Sequence, residues 1–64
     1  MTVTIQNKRY ILSQGQDNNM VYISEDNKKP VKRYFATQGT LQSVSTSINR
    51  YPILWGNTIQ RELA

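Results

Sequence analysis

The sequence predicts a small α+β domain: an antiparallel meander of three or four strands, one amphipathic helix packed across one face, and a short helical turn at the C-terminus. Three observations lead there. Apolar and polar residues alternate through the first stretch of the chain and again after Pro30, the period of half-buried strands. Clusters of Asn, Asp, Gly and Pro separate these runs at turn-like intervals. After Thr37 the period becomes helical. With 64 residues there is room for one domain, residues 1–64, and for only a modest core.

Taken in order, Thr2–Gln6 places Val3 and Ile5 on one face, and Asn7-Lys8 reads as a two-residue turn. Arg9–Ser13 is a second strand with Tyr10 and Leu12 facing the core. Gln14–Asn19 is a loop by composition. Met20–Ser24 is a continuous apolar run, which predicts a central strand buried on both faces. Glu25–Pro30 is a second polar loop, closed by a residue that cannot sit in a central strand. Val31–Ala36 is the fourth strand.

Leu41, Val44, Ile48 and Tyr51 then form one helical stripe, with Thr37 or Thr40 as N-cap. Pro52 ends this helix. Asn57 or Thr58 opens a short final turn carrying Ile59 and Leu63. The expected core is Val3, Ile5, Tyr10, Leu12, Val21, Ile23, Phe35, Leu41, Val44 and Ile48.

Composition narrows the function. The chain has no Cys and no His, which removes thiolate metal sites, disulfides, Cys nucleophiles and imidazole bases. Asp17, Glu25, Asp26 and Glu62 show no metal-ligand or acid–base spacing. Gly15, Gly39 and Gly56 stand too far apart to cradle a phosphate. No apolar run is long enough to span a membrane, and the N-terminus lacks a signal-peptide layout. The expectation is a cytoplasmic, non-enzymatic binding protein with no cofactor, no metal and no membrane partner.

Two groups of residues stand out. Lys28, Lys29, Lys32, Arg33 and Tyr34 gather cations and an aromatic ring in a short stretch, with Lys8 and Arg9 able to join them from the first hairpin. Cations hold phosphates and rings stack on bases, so this set is a candidate surface for nucleic acid or an acidic partner. Read without function, it is a solvated strand edge. Lys8-Arg9-Tyr10 and Lys32-Arg33-Tyr34 also repeat one tripeptide. The second group is Trp55 with Gln42, Ser45, Thr46 and Asn49, a lone Trp and an uncharged polar helix face. It is a candidate protein interface, because Trp anchors interfaces and neutral polar groups desolvate cheaply; read without function, Trp55 closes the bottom of the small core.

The order of these parts resembles a loose set of small proteins encoded by bacteriophages and prophages. The opening strand Val3-Thr4-Ile5-Gln6-Asn7-Lys8-Arg9-Tyr10-Ile11-Leu12, two further strands, a basic loop, the Tyr34-Phe35 pair and the amphipathic helix Leu41–Tyr51 carry the resemblance, which covers residues 3 to 51. Such proteins often act stoichiometrically on a host enzyme, a defence protein or a nucleic acid. The resemblance therefore implies a modulator or inhibitor of a host protein, working in the host cytoplasm. It assigns no catalytic or binding residue. Nucleic acid is the alternative partner, and a second copy pairing along a sheet edge is the third.

Overall fold

The first hairpin turns one residue earlier than the sequence suggests. In the computed structural model, which describes residues 1–17 and 19–64, strand β1 (Thr2–Ile5) pairs with β2 (Lys8–Gln14) so that Ile5 lies opposite Lys8. The turn is Gln6-Asn7, not Asn7-Lys8. Both residues take positive φ, 51° and 66°. That left-handed pair matches the twist of the flanking strands, which is why it closes two-residue hairpins. Asn7 accepts this conformation readily, whereas Gln6 is held in it by the register.

Strands β3 (Met20–Glu25) and β4 (Phe35–Gln38) complete an antiparallel meander in the order β1-β2-β3-β4. Asn18, within the expected Gln14–Asn19 loop, lies outside the described residues. Register sets the faces. The cross-strand pairs Val3↔Tyr10, Leu12↔Ile23, Val21↔Thr37 and Ile23↔Phe35 share one side. The pairs Thr4↔Arg9, Ser13↔Tyr22 and Tyr22↔Ala36 share the other.

Both helices, α1 (Leu41–Arg50) and α2 (Pro52–Leu63), cover the first side only. Their Val44, Ile48 and Ile59 join Ile5, Tyr10, Leu12, Val21 and Ile23 in one buried cluster, flanked by Val3, Phe35, Leu41, Trp55 and Leu63. The sheet therefore has one packed face and one open face. This corrects the expectation for β3: Val21 and Ile23 are buried, but Tyr22 points to the open side. With helices on one face, the period-2 rule holds despite the continuous apolar run.

The fourth strand begins later than Val31. Val31 is 79% exposed and Val31–Tyr34 lie outside any strand. Pro30 cannot donate to a ladder, and Lys32 is turned back on Asn27, so pairing starts only at Phe35 and continues to Gln38.

Thr40 rather than Thr37 caps α1. Its Oγ1 accepts from the Ser43 amide at 3.1 Å while Ser43 Oγ accepts from the Thr40 amide at 2.9 Å, a reciprocal capping box. Gly39 precedes it at φ 139°, a backbone shape that only glycine adopts without strain.

Pro52 ends α1 as expected, but it also starts α2. A proline at the first helical position lacks an N–H that would be unsatisfied anyway and has its φ preset. The tail is thus a 12-residue helix, and Asn57 and Thr58 are interior to it rather than caps. Thr58 Oγ1 donates to the Leu54 carbonyl. The stripe Trp55, Ile59, Leu63 at helical spacing holds α2 to the sheet. Gly56 allows the close approach, because a Cβ there would sit 2.8 Å from Gln6 Oε1 and 3.2 Å from Ile5 Cγ2. No helix among the described residues is long and apolar enough to cross a membrane.

Candidate functional site

The β3–β4 connection, residues 26–34, runs along one end of the sheet and carries most of the cations in the candidate set. Asn27 organises it. Its Nδ2 donates to Glu25 Oε2 at 2.8 Å, and its Oδ1 accepts both the Lys29 amide at 3.1 Å and Lys32 Nζ at 2.9 Å. Lys32 Nζ also donates to the Asn27 carbonyl. This is Asx-turn chemistry, in which a short amide side chain replaces missing ladder bonds. It pins the Lys32 head near the loop while Lys28 and Lys29 stay exposed. Arg33 Nη1 donates to the Ala64 carbonyl at 2.8 Å, tying the loop to the end of α2. Between them opens a cleft of about 430 Å³, lined by Lys29, Lys32, Arg33 and Glu25 together with Leu63 and Ala64 at the end of α2.

The nearby carboxylates each face a cation of the first hairpin. Glu25 pairs with Lys8 at 2.9 Å and Asp26 lies 3.7 Å from Arg9. The Lys8 hydrogen bond and charge hold the Glu25 carboxyl below its ordinary range, against some desolvation, and Glu25 raises Lys8 in return. Glu25 and Asp26 thus make their salt bridges to the hairpin cations, while the Lys29 charge also acts on Glu25 across the cleft. Among the described residues, Lys28, Lys29 and Lys32 make no salt bridge to a carboxylate. Of the sequence-predicted set, Lys29, Lys32 and Arg33 share the cleft, Lys28 precedes them in the same loop, and Tyr34 lies in a notch with Tyr22 and Ser13. Lys8 and Arg9 adjoin the loop with their charge largely offset.

Tyr34 ends the loop on the open face of the sheet. Extending the β3–β4 register by one residue puts it across from Ser24, diagonal to Tyr22. The two rings meet edge to face, with centroids 6.2 Å apart and planes at 79°. Together with Ser13 they line a notch of about 360 Å³. Tyr22 was hidden from sequence reasoning by the apolar run around it. Its alternation with the inward Val21 and Ile23 was the available signal.

The second candidate group is split by the fold. Gln42, Thr46 and Asn49 lie exposed on α1, while Ser45 is half-buried with its Oγ donating to the Gln42 carbonyl at 3.0 Å. Trp55 is also half-buried, packs on the core, and donates its indole N–H to Ser47 Oγ at 2.9 Å. Its apolar neighbours are the exposed ones: Ile53 is 66% and Leu54 64% exposed, beside Tyr51. Both are out of phase with the Trp55–Ile59–Leu63 stripe, a signal that was present in the spacing. The sheet edges, β1 and β4, are only four residues each.

Chemically, the loop and open face gather ammonium and guanidinium groups, two phenol rings and a hydroxyl. Such a set recognises negative charge and flat rings. No family model matches the chain, and no curated protein or solved structure does.

Proposed function

We propose that this chain is a non-enzymatic binding protein whose ligand is nucleic acid, held on the open face of the sheet and the adjoining basic loop. The observation that carries this reading is a basic loop that leads directly into an exposed pair of rings: among the described residues Lys28, Lys29 and Lys32 make no salt bridge, and Tyr34, which ends the loop, meets Tyr22 edge to face on the open side of the sheet. A solvated strand edge needs cations but has no use for a pair of exposed aromatic rings.

Anisotropy of a labelled mixed-sequence oligonucleotide across a salt series tests it. Neutralising a few phosphates predicts a log–log slope of about −2 to −4, and Lys28→Gln with Lys29→Gln should flatten it by about 1 to 2 units. Binding that ignores salt, or no binding at low salt, overturns the reading.

A host-protein partner, as the resemblance to short phage-encoded proteins implies, is the second reading. Its support is the exposed Tyr51, Ile53 and Leu54 at the α1–α2 corner, next to the neutral α1 face. Leu54→Asp with Ile53→Asp should abolish capture of a nuclease-resistant protein partner from bacterial lysate and leave the salt-dependent slope unchanged.

A further inference from the structure

We propose that the Tyr22–Tyr34–Ser13 notch holds an unpaired base, so that the ligand is a single strand with its phosphates on the Lys28–Arg33 loop. This rests on the nucleic-acid reading above and specifies its substrate class.

Three features of the notch support it. The rings stand at 79° to each other, so they form two aromatic walls rather than one flat patch. Ser13 adds a hydroxyl that can donate to or accept from a base edge. Tyr22 is also seated: a Cβ on Gly15 would lie 2.7 Å from its Cε2, so the ring occupies space that only glycine leaves open. A held ring gives a stacking surface at less entropic cost than a swinging one.

A duplex hides its base faces in the stack, whereas unpaired bases offer them to aromatic side chains. Tyr34 directly follows Lys32 and Arg33, so the loop cations lie within a few residues of the notch along the backbone, with the Lys32 head on Asn27 and the Arg33 head on Ala64 at the α2 end.

The test compares three ligands of equal length at one low salt concentration: a mixed-sequence single strand, its duplex, and a strand of abasic sites, in ribo and deoxyribo forms. The base-bearing single strand should bind roughly five- to a hundredfold tighter than the abasic strand. Tyr34→Leu should remove that margin and Tyr34→Phe retain it, while Lys28→Gln with Lys29→Gln weakens every ligand alike. A larger affinity for the ribo or deoxyribo strand then names RNA or DNA. If the abasic strand or the duplex binds as tightly as the single strand, the base-holding notch is wrong and the charge-based reading survives. If none of the three binds, both fail. A proline-rich peptide, which aromatic grooves also take, serves as competitor. Its binding to the notch in the absence of any nucleic-acid binding would also overturn the proposal. The comparison of ligands needs only the unmutated chain, so it stands even if a variant misfolds.

Discussion

The tripeptide Lys-Arg-Tyr occurs twice, and the fold uses its two copies in opposite ways. In Lys8-Arg9-Tyr10 the residues lie on a strand paired on both sides. Tyr10 is only 1% exposed at the centre of the core, and the two cations meet Glu25 and Asp26. In Lys32-Arg33-Tyr34 the residues lie outside regular structure. Tyr34 is 60% exposed on the open face, and among the described residues the cations bond to carbonyl and amide oxygens. Local sequence is the same, so neither propensity nor charge decides. Strand phase decides which way the Tyr points, and the β2–β3 register decides which copy receives the carboxylates, because it places Tyr10 opposite Glu25.

The largest expected effect is on stability. Tyr10→Ala opens a cavity beneath the sheet and should cost about 3–5 kcal/mol. A domain this small has a total stability of the order of several kcal/mol, so urea unfolding should find the variant largely unfolded. Tyr34→Ala should stay within about 0.5–1 kcal/mol of the unmodified chain, since its ring is mostly in water. Equal losses at the two positions would break the comparison.

That contrast also marks what was legible in the sequence. Every residue of the expected core is buried or packs against the core, because period-2 and helical stripes report burial directly. The same alternation placed Phe35 inward and Tyr34 outward. It did not show where β4 starts, which depends on the side chain of Lys32 bonding to Asn27. Ile59 lies outside the expected core because Pro52 reads as a stop, although the same ring geometry that ends α1 favours starting α2. In the candidate site, the cations were legible and the salt-bridge partners of Glu25 and Asp26 were not. Glu25 and Asp26 adjoin the loop in sequence, yet the register hands them to the hairpin.

A smaller effect separates the pinned from the free cations of the loop. Asn27→Ala removes the acceptor of the Lys29 amide and of Lys32 Nζ, at a cost of about 1 kcal/mol for partly exposed hydrogen bonds. Hydrogen exchange at the Lys29 amide should accelerate, while amides in the β2–β3 ladder stay protected. Unchanged exchange at Lys29 would mean that the loop is held by the Arg33–Ala64 bond instead.

The smallest effect tests whether the first copy can be made to resemble the second. Glu25 is depressed by Lys8, so its contribution is present above its unfolded value and is lost as pH falls through the folded one. Lys8 is raised by Glu25, so its contribution is present below its ordinary value of 10.5 and is lost as pH rises through the folded one. The pair therefore stabilises the fold across neutrality and fades at both ends. Being partly exposed, it contributes no more than about 1 kcal/mol, and less at high salt. Glu25→Gln should lower the urea midpoint slightly near neutrality and reduce the loss that the unmodified chain shows in acid, below the ordinary value of 4.5. The same substitution frees Lys8 without adding a cation. If the local positive charge sets affinity, Glu25→Gln should tighten oligonucleotide binding and steepen its salt slope by up to about one unit. A variant that shifts stability with pH as stated but binds no tighter would confine Lys8 to the hairpin and leave the ligand to the loop alone.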